Sequence, residues 1–188
     1  MIENEFKVIL TDEQYEKLIA MYEWNKVVVQ TNHYYDTDNF DLEKLNITCR
    51  VREIDGKYLW QMKFPTYKAL SRMEFEEPID GLPDEIDADK ATRPNPHRHD
   101  MLPVVKRLGS LKTTRNVYCF KGGEIDLDKS EYFGKIDYEL EIEFTDEDAA
   151  RAVLNEITEK LGLTPNTEER VGKVRRFLDE YSKTHTSN

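Results

Sequence analysis

The chain is short of positive charge. Its 188 residues hold 27 Lys and Arg against 38 Asp and Glu, a formal net charge of −11. Long-range repulsion of that size excludes a general binder of nucleic acid or of anionic membranes. Cysteine is scarce as well. Cys49 and Cys119 are too few for a disulfide framework, and both fall on apolar strand faces far apart in sequence, which argues against a structural zinc site. No stretch of 18 or more apolar residues occurs, and the opening MIENEFKVIL lacks the basic and apolar regions of a signal peptide. The expectation is a cytoplasmic protein with both thiols reduced. Walker A, G-x-G-x-x-G and G-x-S-x-G motifs are missing too. Hydrophobic residues reach only 38%, under the roughly 45–50% usual for globular domains. Ten Tyr and eight Phe nonetheless exclude a disordered chain.

What is abundant is period-two alternation, the mark of strands with two unlike faces. It predicts strands at 2–9, 47–53, 58–64, 71–77, 124–128 and 138–144, with weaker ones at 26–36 and 111–120 and a short one over 103–108. Three helical stripes interrupt them: 12–24 behind a Thr11 cap, 146–161 behind Thr145, and 168–181. Gly122-Gly123 suits a hairpin turn. The stretch 78–100 carries four prolines and reads as an irregular excursion, its role as a lid left open. One domain over residues 1–181 is expected, with 182–188 a frayed tail.

The polar faces are almost wholly charged. Glu3, Glu5 and Lys7 share one; Glu139, Glu141 and Glu143 share another; Asp126 and Asp128 lie with Glu124 on a third. Arg50, Arg52, Lys63, Arg72, Arg107 and Arg115 each occupy the polar face of their strand. Two architectures accommodate this. An antiparallel sheet could cover its apolar face with helices and leave the charges in water, or a closed barrel could point them inward around a wet tunnel.

Carboxylates at i and i+2 stand about 6–7 Å apart along a strand, so Glu3 and Glu5 can share a hard cation such as Mg²⁺. Three acids on one face repel by roughly 1 kcal/mol per close pair in water and about 4 at an effective dielectric of 20. Such a row needs water, basic partners or metal. Converging Arg forks match phosphate oxygens, while cross-strand ion pairing with the acidic rows would use the same residues. His33, beside Tyr34, Tyr35 and Asp36, suits strand-end packing; metal binding at His97 and His99 in the proline-rich loop is disfavoured.

Taken in order, Glu3-x-Glu5-x-Lys7, Asn32-x-x-Tyr35-Asp36-Thr37, Arg50-x-Arg52, Lys63, Arg72-x-Glu74-x-Glu76, Asp126-x-Asp128 and Tyr138-Glu-Leu-Glu-Ile-Glu143 resemble the CYTH family, the triphosphate tunnel metalloenzymes. The small bacterial YjbK-like members are the most similar in pattern. The resemblance implies an α+β fold: an eight-stranded antiparallel β-barrel forming a tunnel, with helices packed outside. It also implies Mg²⁺ or Mn²⁺ on Glu3, Glu5, Glu139, Glu141 and Glu143, with Asp126 and Asp128 beside them. A small triphosphate would be gripped by Lys7, Arg50, Arg52, Lys63, Arg72, Arg107 and Arg115, with Lys173 and Arg175 at the tunnel mouth, in a monomer or homodimer.

The activity it implies is metal-dependent triphosphate hydrolysis. Class IV adenylate cyclases of the family carry His-Phe ahead of ExExK, whereas only Met1 and Ile2 stand here, which counts against cyclic AMP formation. A non-catalytic triphosphate or polyphosphate binder, and an interaction domain with a solvated charged face, are the remaining readings.

Overall fold

The computed structural model describes residues 2–68, 70–92, 102–163 and 172–185. Among the described residues nine strands and four helices follow one another: β1 (Ile2–Leu10), α1 (Asp12–Ile19), β2 (Lys26–Asp36), α2 (Asp41–Lys44), β3 (Thr48–Ile54), β4 (Lys57–Pro65), β5 (Ser71–Ile79), β6 (Glu85–Asp87), β7 (Val104–Phe120), β8 (Gly123–Tyr132), β9 (Lys135–Phe144), α3 (Glu147–Leu161) and α4 (Lys173–His185). A 3-10 turn, Ala88–Thr92, links β6 to the segment before β7. Strand order is β2-β3-β4-β5-β1-β9-β8-β7-β6, and β2 also pairs with β7, so eight strands close into an antiparallel β-barrel.

By its contacts the chain divides into two compact units. The first holds Met1–Ile2, Gln30–Leu111 and Gly172–Asn188; the second holds Glu3–Val29 and Lys112–Val171.

In the first unit the apolar faces of β3 and β4 bury Cys49, Val51, Trp60, Met62 and Phe64, together with Leu42 of α2 and Ile86 of β6. Removing these side chains from water is the main stabilising term. Helix α2 is only one turn long and depends on Asp36, whose buried carboxylate accepts the N–H groups of Thr37, Leu42 and Glu43. Those of Leu42 and Glu43 are otherwise orphan donors at the helix start. Helix α4 buries Phe177 against Tyr34, ring centroids 4.9 Å apart.

In the second unit, Phe6, Ile125, Leu127, Leu140 and Ile142 line the apolar faces of β1, β8 and β9. They are covered by α1 and α3, which contribute Tyr15, Leu18, Leu154 and Ile157. Thr11 and Gln14 form a capping box on α1. Between β7 and β8, Phe120 pairs with Gly123, the tight hairpin expected of Gly122-Gly123. A Cβ on Gly123 would stand 2.2 Å from the Glu143 carbonyl oxygen, so no other residue fits.

Several boundaries differ from the sequence expectation. Helix α1 stops at Ile19, not at residue 24, because Tyr22 leaves the helical stripe to pack on Tyr118 of β7. Asp146, not Thr145, caps α3: its carboxylate accepts the Ala149 N–H, while the Thr145 hydroxyl donates to the Gly122 carbonyl. The two strands expected at 103–108 and 111–120 are one, β7. The excursion from 78 is partly regular, since Pro78 ends within β5 and 85–87 form β6; its later part, with His97 and His99, lies outside the described residues. Helix α4 runs on to His185, beyond the expected limit at Tyr181. No helix among the described residues is long and apolar enough to cross a membrane.

Candidate functional site

Antiparallel register turns separate sequence motifs into a grid. In the second unit, β1 sets Glu5 opposite Glu143 and Lys7 opposite Glu141 of β9. In turn β8 sets Glu124 opposite Glu143, Asp126 opposite Glu141 and Asp128 opposite Glu139. Strand β7 completes the grid by pairing Arg115 with Asp128. Directly paired residues share a face, so the acidic motifs of β1, β8 and β9 meet on one surface.

The middle of that surface is buried. Asp126 and Asp128 are 0% exposed, Glu139 is 1% and Glu141 is 4%. Two cations reside among them. Lys7 Nζ lies 3.0 Å from Glu5 Oε1 and 3.0 Å from Glu141 Oε1. Arg115 makes a bidentate pair with Asp128 (Nε to Oδ1 2.8 Å, Nη2 to Oδ2 2.7 Å) and also reaches Asp126, Glu141 and, at 3.9 Å, Glu143.

Burial opposes both charges, but Glu141 and Glu5 hold the Lys7 ammonium well above the ordinary lysine range. Asp128 and Glu141 hold the Arg115 guanidinium in the same way. The acids remain under-compensated. Burial pushes Asp126 up to about 7 against the pull of Arg115, and burial with the Glu3 charge pushes Glu143 up to about 8.

Three triads bring carboxylate oxygens within 4.8 Å of one another: Glu5 with Glu141 and Glu143, Glu124 with Asp126 and Glu143, and Asp128 with Glu139 and Glu141. Asp126 Oδ1 is buried with no hydrogen-bond partner among the described residues. Clustered hard oxygen donors without His or Cys suit Mg²⁺, Mn²⁺ or Ca²⁺ rather than zinc, so the residues present fit a divalent cation.

The first unit carries the bases. Strand β3 sets Arg50 opposite Gln61 of β4, and β4 sets Gln61 opposite Glu76 and Lys63 opposite Glu74 of β5. Arg50 Nε donates to Gln61 Oε1 at 2.8 Å, Gln61 donates to Glu76, and Lys63 Nζ lies 2.9 Å from Glu74 Oε1. Arg52 donates to Asn32 Oδ1 at 3.2 Å. Tyr34, the register partner of Arg50, is the residue against which α4 packs Phe177. Arg50 is 8% exposed and its side chain is fixed by neutral and anionic acceptors, a rigid guanidinium rather than a mobile surface charge.

The other expected bases stand apart from these contacts. Arg72 donates to Asn46 at 3.3 Å and Arg107 pairs with exposed Asp84 at 2.8 Å. Arg175 pairs with Glu43 and with Asp179 one turn along its helix and is half exposed. Lys173 begins α4. Glu3, on the β1 motif, faces Glu143 closely enough to raise its pKa.

Sequence reasoning passed over Glu124, Glu74, Gln61 and Asn32 as site residues. Glu124, Glu74 and Gln61 share polar faces with expected site residues, Asn32 lies on a strand whose faces the pattern does not distinguish, and only the register reveals which charged neighbour each meets. His33 is not merely strand-end packing: its Nδ1 lies 2.8 Å from Ser110 Oγ and its Nε2 3.2 Å from Glu53 Oε2.

Comparison with known proteins bears on this arrangement directly. The CYTH domain family matches residues 1–173. The chain belongs to the CYTH family. This CYTH domain is 29% identical, over 97% of both chains, to YjbK of Bacillus subtilis, a protein provisionally named a triphosphatase. Among solved structures it is similar to a Bacillus halodurans protein provisionally described as an adenylate cyclase, with 25% identity, TM-score 0.68, and 93% of this chain and 96% of that one covered. The fold is also that of HpAC1 from Hippeastrum, with 20% identity, TM-score 0.71 and 95% of each chain covered. HpAC1 is a protein of dominant triphosphatase activity that had been assigned as an adenylyl cyclase.

Proposed function

We propose that this CYTH domain hydrolyses a triphosphate, inorganic or attached to a small organic group, with a divalent cation as cofactor. The observation that carries the reading is the register that brings Glu5, Glu141 and Glu143 within reach of one cation beside Lys7. The YjbK relative and the CYTH family point to the same chemistry.

In this reading Glu5, Glu141 and Glu143 hold the cation, with Glu3 adding charge next to Glu143, and the Asp126 and Asp128 pair lies within the same acidic surface. Mg²⁺ or Mn²⁺ would neutralise phosphate charge and orient a water. The chain's own bases supply the rest. Arg50 and Arg52 offer planar forks to phosphate oxygens, and Lys63 and Lys7 act as point charges. Because Arg50 is already held by Gln61 at 2.8 Å, little side-chain entropy is lost on binding an anion. Phosphoryl transfer asks mainly for such positioning and charge stabilisation. The reading places the protein in the cytoplasm with both thiols reduced, as its free Cys49 and Cys119 allow.

The Bacillus halodurans relative supports cyclic AMP formation as a second reading. Incubating the purified protein with tripolyphosphate, ATP or thiamine triphosphate in Mg²⁺ or Mn²⁺ and identifying the products separates the two. Orthophosphate release is expected. Cyclic AMP with pyrophosphate would favour the cyclase, and tight binding without products would leave a binding module.

A further inference from the structure

Each carboxylate triad able to take a cation already contains partners of Arg115. The triad of Glu5, Glu141 and Glu143 shares two of them, that of Glu124, Asp126 and Glu143 shares two, and that of Asp128, Glu139 and Glu141 shares two. A guanidinium spread across Asp126, Asp128, Glu141 and Glu143 uses the same oxygens that a hard cation would use. It is a monovalent, delocalised charge, whereas a divalent ion concentrates twice that charge on the same hard oxygens. Simultaneous occupation would put a divalent ion beside a buried guanidinium, whose mutual repulsion in a low-dielectric site is severe.

We propose that Arg115 is the acidic surface's resident counter-cation: an entering divalent metal displaces it, and the guanidinium so freed becomes available to the phosphate oxygens of the substrate. Metal and triphosphate then bind with positive coupling, because the metal releases a triphosphate ligand and the triphosphate removes a competitor of the metal. The inference rests on the triphosphatase reading and adds to it how part of the acidic charge is balanced until the site is loaded. A buried acidic grid with neither metal nor Arg115 would carry uncompensated charge, which is unfavourable enough to demand such a stand-in. Arg115 and not Lys7 has this role because Lys7 pairs with Glu5 and Glu141, neither of which belongs to the triad of Glu124, Asp126 and Glu143, whereas the Arg115 fork has partners in all three triads.

The test measures Mn²⁺ binding without substrate, by the loss of the free-ion electron paramagnetic resonance signal, for wild type, Arg115→Gln and Arg115→Lys. Removing the competitor should tighten Mn²⁺ binding about tenfold or more in Arg115→Gln. Arg115→Lys, which keeps a charge but cannot fork across two acids, should fall between. A non-hydrolysable imidotriphosphate should strengthen Mn²⁺ binding in wild type and much less in Arg115→Gln. Should Arg115→Gln fold only with metal present, Arg115→Lys carries the comparison. Mn²⁺ affinity equal to or weaker than wild type in the folded variants would overturn the proposal. Mn²⁺ binding of the expected pattern without any triphosphate turnover would defeat the triphosphatase reading alone; turnover with unchanged Mn²⁺ affinity in Arg115→Gln would defeat this inference alone.

Discussion

At the scale of single residues, Glu141 joins both cations of the acidic grid. It pairs with Lys7 on β1 and Arg115 on β7, faces Asp126 across β8, and belongs to two of the three triads. Glu141→Gln keeps the shape and removes the charge. Losing an outer partner of a metal ligand typically costs roughly 10–100-fold, so if Glu141 is a direct ligand, as proposed, its loss is expected to lower metal-dependent turnover by at least about 100-fold. Circular dichroism should show the fold unchanged.

The two thiols give an independent check on burial. Cys49 is enclosed in the β3–β4 core, and burial pushes its thiol up to about 12, whereas Cys119 is exposed. A raised pKa keeps Cys49 protonated at pH 8, and the thiolate is the reactive form. One thiol per chain should react with a disulfide reagent in native protein and two after denaturation. Two fast thiols in the native state would contradict the packing described for β3 and β4.

At the scale of elements, alternation made the strands legible and their ends less so. Strands β1, β3, β4 and β5 begin and end within a residue or two of expectation, because each carries several consecutive in-out pairs, whereas β9 starts three residues earlier than expected. Helix α2 escaped because nothing periodic marks a one-turn helix; it exists through the three N–H bonds accepted by Asp36, a contact from the preceding strand's end. The join within β7 escaped because Gly109 and Ser110 read as a break, yet Ser110 is held in place by His33. The burial of α4 was equally invisible, since its Phe177 meets a tyrosine far away in sequence. Phe177→Ala should therefore cost about 3–5 kcal/mol, the range for buried aromatics. Thermal melting checks it, and a change under about 1 kcal/mol would mean that α4 is not fixed by this contact.

At the scale of the whole molecule, the net charge of −11 conceals a division of labour. The second unit concentrates buried acids around Lys7 and Arg115, while the first holds Arg50, Arg52 and Lys63 on Gln61, Asn32 and Glu74. The sequence displayed each charged face but not which faces pair. Pairing depends on strand order, in which β1 from one end of the chain lies beside β9 from near the other. Net charge still predicts one bulk property. The protein should not retain duplex DNA at about 50 mM salt in a mobility assay, because nonspecific binding needs a basic surface, and a stable complex would show that the acidic excess is not displayed outward.

The central claim is that these acids serve a metal that acts on a triphosphate, and phosphate release from tripolyphosphate, titrated with Mg²⁺ and with Mn²⁺, tests it most directly. The expected result is turnover that appears with the metal, disappears with EDTA, and is lost in Glu5→Gln and Glu141→Gln. No release with either metal, or release that persists in EDTA and in both variants, would contradict it.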